Sequence, residues 1–164
     1  MTRFTLTAID TTQIQSYVFG SNQLKENIGG SELVVLATQQ WVYEALPPSH
    51  NVANLKTGKM DASMTIHQVD AEVVYAGGGN TVVLFKTIDL AREFTRRLTR
   101  KILIDAPGLE LVVAHQEFDW ESASLAQVVQ KILLHRLGDK EIRAQVAPQL
   151  VGVRAAQRAL LDAA

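Results

Sequence analysis

The fold is decided by residues 72–85, EVVYAGGGNTVVLF, in which two runs of strand-forming residues flank a glycine-rich turn. Valine, tyrosine, threonine and phenylalanine favour extended backbone, and glycine and asparagine supply the positive φ angles of tight turns. The stretch therefore predicts a β-hairpin, with strands over 72–76 and 81–85 and a turn over 77–80.

The patterns on either side of this hairpin predict an α+β domain. The other predicted elements, in chain order, are a strand over 3–9 that ends at Asp10, a short helix after the candidate caps Thr11 and Thr12, a loop over 20–30, a helix from its cap Ser31 to about Leu46, an irregular stretch over 49–63, a helix from Asp89 to the break at 107–108, a strand over 109–118 and a helix over 125–146. This order is that of a ferredoxin-like antiparallel sheet with helices packed on one face. In that topology the first strand lies beside the hairpin, so Asp10 faces the turn.

The chain length and composition fit one soluble domain. We expect a single domain over 1–148 and a C-terminal extension over 149–164, which begins with strand-like residues 150–153. The 16 basic and 17 acidic residues give a net charge of -1, which argues against an electrostatic nucleic-acid binder. The sequence has no cysteine, no apolar run of the roughly 18 residues that a membrane span needs, and no apolar signal region, so we expect a cytoplasmic protein.

Three features converge on one end of the predicted sheet. They are Asp10, the Gly29-Gly30-Ser31 helix start and the glycine-rich turn at 77–80. Glycine turns let a ligand approach backbone N–H groups, and a helix N-terminus favours anions, so together these features predict a site for a phosphate-bearing ligand. Taken singly, each has an ordinary structural explanation as a turn, a cap or a hairpin.

Two further groups of residues have weaker functional interpretations. The four histidines, among them His115 on a predicted strand, are far apart, which argues against a zinc site. A basic run at 92–101 on one predicted helix is typical of a solvated face, and a contact to a partner or an RNA backbone is the alternative.

Two motifs resemble a known family. Residues 9–19, IDTTQIQSYVF, and residues 24–31, LKENIGGS, look like the opening of a palm domain in the large, cyclic-oligoadenylate-making subunit of type III CRISPR effector complexes. The segment 74–80, VYAGGGN, lies where that family carries a Gly-Gly-Asp-Asp hairpin. The resemblance covers residues 3–118 and implies the same ferredoxin-like palm.

The resemblance also implies a site and a departure from it. In active members, carboxylates of the first strand and the hairpin hold two divalent cations that bridge nucleotide phosphates. Asp10 matches the first-strand carboxylate and is the implied metal ligand, whereas Gly79 and Asn80 stand where both hairpin carboxylates are expected. The implied nucleotide contacts are Gly29, Gly30, Ser31, Gly77, Gly78, Gly79 and Asn80.

We therefore expect a nucleotide-binding palm of prokaryotic antiviral defence that is catalytically degenerate, with no assigned catalytic residue. The implied cofactor is Mg²⁺ or Mn²⁺ with ATP or another nucleoside triphosphate, and the implied partners are CRISPR effector subunits or a second palm in a homodimer. Two alternatives stay open. One is an active metal-dependent nucleotide cyclase or nucleotidyltransferase that makes cyclic nucleotide or oligoadenylate signals with Asp10 and another acid, such as Glu32, Asp70 or Glu72. The other is an interaction domain without a ligand, in which the glycines only make a sharp turn.

Overall fold

A computed structural model describes residues 2–135 and contains a four-stranded antiparallel sheet. The elements, in chain order, are β1 (Arg3–Thr12), α1 (Ile14–Val18), α2 (Leu24–Thr38), α3 (Gln40–Ala45), β2 (Val52–Asn54), β3 (Lys59–Met60), β4 (Ala71–Gly77), β5 (Asn80–Phe85), α4 (Ile88–Asp105), β6 (Glu110–Asp119) and α5 (Leu125–His135). No described helix is both long enough and apolar enough to cross a membrane.

The strand order confirms the predicted ferredoxin-like topology. The sheet runs β4-β5-β1-β6, so β1 and β5 are the central strands and each pairs antiparallel with its neighbours. The hairpin predicted from residues 72–85 is β4 and β5. The predicted helix after it is α4, which buries Phe94, Leu98 and Ile102 at intervals of four.

Alternation along β1 divides its side chains between the two faces of the sheet. Ile9 belongs to the larger hydrophobic core, which α2, α3 and α4 cover, and this is the helical layer expected on one face. Leu6 and Ala8 belong to a second core on the opposite face, where α5 packs with Val129 and Ile132. Because Asp10 follows Leu6 and Ala8 at steps of two, its side chain lies on the α5 face.

The prediction of a loop over 20–30 and a helix capped by Ser31 is wrong. The helix α2 begins at Leu24, so Gly29, Gly30 and Ser31 lie inside it, and it is interrupted at Gln39 before α3. A Cβ atom at Gly30 would lie 3.3 Å from the Cα of Val18, so this glycine allows α1 and α2 to approach closely. That contact outweighs the roughly 1 kcal/mol that a glycine costs inside a helix.

The ends of the first strand and the connection over 49–63 also differ from the prediction. Strand β1 continues past Asp10 to Thr12, and α1 begins after Gln13 without a side-chain cap, so neither Thr11 nor Thr12 is an N-cap. The stretch predicted to be irregular contains the two short strands β2 and β3, which pair with each other. The predicted helix over 125–146 is α5 as far as residue 135. Its remainder, the strand at 150–153 and the boundary at 148 lie outside the described residues.

Candidate functional site

The two central strands bring Asp10 opposite Asn80, as the topology predicted. The Thr11 N–H donates to the carbonyl of Gly79 at 3.0 Å, which makes Thr11 and Gly79 a hydrogen-bonded pair of the ladder. The adjacent pair, Asp10 and Asn80, is therefore of the non-hydrogen-bonded kind, in which side chains come closest, with Cβ atoms about 4.5–5.5 Å apart. Both residues are buried.

The turn beside this pair consists of two residues, Gly78 and Gly79. Their φ angles are 61° and 89°, the pair of positive values that a type I′ hairpin turn requires. Thr11 holds the turn a second time, because its Oγ1 donates to the carbonyl of Gly79 at 2.9 Å. A Cβ atom at Gly79 would lie 2.7 Å from that Oγ1 and 2.8 Å from Cδ1 of Ile14. A side chain at the position of the first expected hairpin carboxylate would therefore displace the side chains of Thr11 and Ile14.

The other acids considered from the sequence do not lie near Asp10. Glu72 pairs with Leu84, four positions along β5 from Asn80, so it lies about 13 Å from the turn. There its carboxylate accepts a hydrogen bond from the Ile66 N–H, and burial raises its pKa.

Asp70 is the neighbour of Glu72 at the far end of the hairpin, where its carboxylate forms an ion pair with Lys86 at 3.3 Å. Glu32 is exposed on α2. Within residues 2–135 there is no group of three or more histidine and acidic residues that could hold a metal ion.

The Gly29-Gly30-Ser31 segment does not present a helix N-terminus to the turn. Its N–H groups lie within α2, whose first residue is five positions earlier. The opposite end of α2 meets the hairpin, since the hydroxyl of Thr81 donates to the carbonyl of Thr38 at 2.6 Å. The C-terminal end of a helix carries partial negative charge, which disfavours phosphate. The prediction that Gly29, Gly30 and Ser31 form a helix N-terminus that binds an anion is therefore wrong. Their contact with a nucleotide stays a prediction that rests on the family resemblance alone.

His115 lies among side chains of the fold, and the basic residues at 92–101 lie on an exposed face of α4. His115 lies between β1 and α4, with Nδ1 at 2.9 Å from Oγ1 of Thr7 and Nε2 at 3.4 Å from Oγ1 of Thr95. On α4, hydrogen bonds from Arg96 and Arg97 lower the pKa of Glu93 to about 2, on a solvated face.

Sequence reasoning missed the residues that hold the turn in place. Thr11 was interpreted as a helix cap, although its position directly after Asp10 puts it on the opposite face of β1, toward the helical layer. Gln13 adopts a left-handed φ of 54°, which is costly for a residue with a side chain, and its amide donates to Glu110 at 3.0 Å. No motif marks this strained junction between β1 and α1.

Comparison with solved structures identifies the fold. A Csm1-Csm4 cassette in complex with one ATP matches with a TM-score of 0.54 and 17% sequence identity, over 80% of this chain and 18% of the matched chain. The described residues therefore share the ferredoxin-like palm fold of part of that chain. The same cassette in complex with cA3 matches with a TM-score of 0.49 and 16% identity, over 80% of this chain and 19% of that chain. No family model and no curated protein matches the sequence. The palm domain thus spans less than a fifth of the chains it resembles.

Proposed function

We propose that this palm domain binds a nucleotide within a CRISPR defence assembly and has lost two-metal catalysis. The shared fold supports the first part, because the matched cassette was crystallised with ATP. Because the chain spans 18% of the matched chain, its implied partners are the other subunits or domains of such an effector in the cytoplasm.

The loss of catalysis rests on one observation, the pairing of Asp10 with Asn80 across β1 and β5. A two-metal centre needs several carboxylates around both ions, and a neutral amide is a weak Mg²⁺ ligand. Because Gly79 and Asn80 supply no carboxylate beside Asp10, the described residues do not fit a two-metal centre. They do fit a single Mg²⁺ or Mn²⁺ held between the Asp10 carboxylate and the phosphates of a nucleotide, since Mg²⁺ sites commonly use one or two carboxylates with substrate phosphates.

The glycine turn supplies the other proposed contacts. Gly77 and Gly78 present backbone without side chains, and the space that a side chain would fill at Gly77 is bordered by the Tyr75 hydroxyl at 3.3 Å and the Gln39 amide nitrogen at 3.6 Å. A phenol and an amide next to this backbone offer both donors and acceptors to a base or a ribose. Gly77, Gly78 and Asn80 are therefore the residues for which we propose nucleotide contact.

Isothermal titration calorimetry and thermal unfolding with ATP and Mg²⁺ test the proposal. A ligand at 100 times its Kd stabilises the native state by about 2.7 kcal/mol, which raises Tm measurably. Asp10→Asn keeps the shape of the side chain and should weaken Mg²⁺–ATP binding at least tenfold. The matched control is Asp89→Asn on the exposed face of α4, which should leave binding unchanged.

The two parts of the proposal fail separately. If ATP, GTP and other nucleoside triphosphates neither bind nor raise Tm, the domain is an interaction module without a ligand. If the protein converts ATP with Mg²⁺ or Mn²⁺ to linear or cyclic oligonucleotides, the loss of catalysis is contradicted and an active cyclase is favoured. Chromatography of the reaction products distinguishes these outcomes.

A further inference from the structure

Helix α2 carries apolar residues on two sides. Its inner side packs Val34 and Ala37 into the core. On its outer side Leu24, Ile28 and Val35 are 75%, 59% and 50% exposed. A surface helix of a monomer normally has one apolar stripe, whereas a helix that is apolar on both sides is normally covered on both. The outer side of α2 therefore has the composition of an interface.

The three outer apolar residues and Ser31 have the spacing of a coiled-coil seam. Leu24, Ile28, Ser31 and Val35 follow one another at steps of four, three and four, the pattern of alternating a and d positions in a heptad. We call these four residues the α2 seam. Its midpoint falls between Gly29 and Gly30, so the seam is symmetric about its own centre. An antiparallel second copy would pair Leu24 with the second copy's Val35, and Ile28 with the second copy's Ser31.

The charges beside the α2 seam are complementary in the same arrangement. Lys25 and Glu32 each follow a d-type residue, Leu24 and Ser31, and so occupy the flanking e positions. Both are exposed, and neither forms a salt bridge within residues 2–135. When two α2 helices run antiparallel, e positions of the two copies face each other on the same flank. Lys25 of each copy then meets Glu32 of the other, which gives two ion pairs of opposite charge.

We propose that α2 is a homodimer interface in which two copies of the chain pair their α2 seams antiparallel about a two-fold axis. The interface is isologous, so it closes with two copies and does not propagate into fibres. Four layers, two of Leu24 against Val35 and two of Ile28 against Ser31, make a small contact, which is typical of a weak, concentration-dependent dimer. The proposal concerns the outer side of α2 and is independent of nucleotide binding at Asp10 and the hairpin turn.

Engineered cysteines test the register directly, because the natural sequence has none. In the antiparallel pair, residue 24 of one copy lies beside residue 35 of the other, while the two copies of residue 24 are about 16 Å apart along the helices. A disulfide needs Cα atoms within roughly 7 Å. A mixture of the Leu24→Cys and Val35→Cys proteins should therefore form a disulfide dimer on mild oxidation, and neither protein alone should do so. Leu103→Cys, at a position 77% exposed on α4, is the control for random collision.

Charge exchange tests the flanking ion pairs. Sedimentation equilibrium of the natural chain should give a mass that rises with concentration toward twice the 18.0 kDa of one copy. Lys25→Glu or Glu32→Lys alone should weaken the dimer several-fold, and the double exchange should restore it. Ile28→Ser should weaken it at least tenfold while leaving Tm of the monomer unchanged.

Each of three outcomes overturns the proposal. If the chain stays monomeric at the highest soluble concentration, the outer side of α2 is not a homodimer interface, and its partner is another protein or residues 136–164. Rapid oxidation of the Leu24→Cys protein alone indicates a parallel pair. Equal oxidation of the Leu103→Cys protein indicates collision without a specific interface. None of these outcomes bears on nucleotide binding at Asp10 and the hairpin turn, so the two proposals can fail independently.

Discussion

Replacing Gly79 by aspartate returns one hairpin residue to the acid that the resembling family carries, and we expect the protein to lose stability. The φ of Gly79 is 89°, a left-handed value that costs an L-residue about 1 kcal/mol or more. The new Cβ would also lie 2.7 Å from Thr11 Oγ1 and 2.8 Å from Ile14 Cδ1. Overpacking of this kind costs about 1–3 kcal/mol, so the free energy of unfolding should fall by about 2–4 kcal/mol.

The assay is urea and thermal unfolding followed by circular dichroism. For a chain of this size the loss corresponds to a decrease in Tm of about 5–15 °C. Gly78→Asp is the matched control, because it places the same side chain in the same turn at φ 61°, where the nearest atom to its Cβ is the Tyr75 hydroxyl at 3.6 Å. That variant should lose about 1 kcal/mol or less, since aspartate tolerates this backbone conformation.

The comparison of the two variants decides whether the turn is closed. If Gly79→Asp costs within roughly 0.5 kcal/mol of Gly78→Asp, Thr11 and Ile14 do not exclude a side chain and the geometric reasoning is refuted. The Gly79→Asp, Asn80→Asp double variant extends the test to catalysis. It should remain inactive with ATP and Mn²⁺, because its first new carboxylate would displace the Thr11 and Ile14 side chains that hold the turn. Oligonucleotide synthesis by that variant would show that the acids alone were missing.

Three other substitutions have expected outcomes. Gly30→Ala should lower Tm because its Cβ would meet the backbone of α1. Gly29→Ala, whose Cβ meets only open space, should stabilise α2 by up to about 1 kcal/mol. An equal change in Tm for both variants would contradict the close packing of α1 on α2. Thr81→Val should lower the free energy of unfolding in urea by about 1–3 kcal/mol, because it leaves the buried carbonyl at the end of α2 without its 2.6 Å hydrogen bond. The control Thr99→Val, at a half-exposed position on α4, should lower it less. Burial raises the pKa of Glu72 above its unfolded value, so the charged carboxylate destabilises the fold at neutral pH. Glu72→Gln should therefore raise the free energy of unfolding at pH 7, by an amount that shrinks as the pH falls through the raised pKa. An increase in the free energy of unfolding that does not depend on pH would refute this cause.

The sequence was sufficient for the sheet and for the position of Asp10. Strand alternation and the glycine-rich turn predicted β1, β4 and β5, and topology alone then placed Asp10 facing the turn over 77–80, where the structure pairs it with Asn80. The spacing of Phe94, Leu98 and Ile102 predicted α4, because that helix buries a single stripe. These elements were predictable since their local patterns agree with their tertiary roles.

The start of α2 and the closure of the turn were not predictable from local patterns. Gly29-Gly30 normally breaks a helix, and only the approach of α1 at Gly30 explains why the helix continues through it. Thr11 is a good cap by residue type, but its hydrogen bonds to Gly79 extend the sheet by two residues. In both cases a contact between segments far apart in sequence outweighs the local preference.

Asp10 and Thr11 lie on opposite faces of β1, so the residue that holds the turn and the proposed metal ligand are on different sides of the sheet. Thr11 holds the turn by hydrogen bonds from the side of the helical layer, and Asp10 lies opposite Asn80 on the other face of the same strand. Substitutions at Asp10 or Asn80 should therefore leave the hydrogen bonds between Thr11 and Gly79 in place. The hydrogen bonds by which Thr11 holds the turn therefore do not depend on which residue stands opposite Asp10.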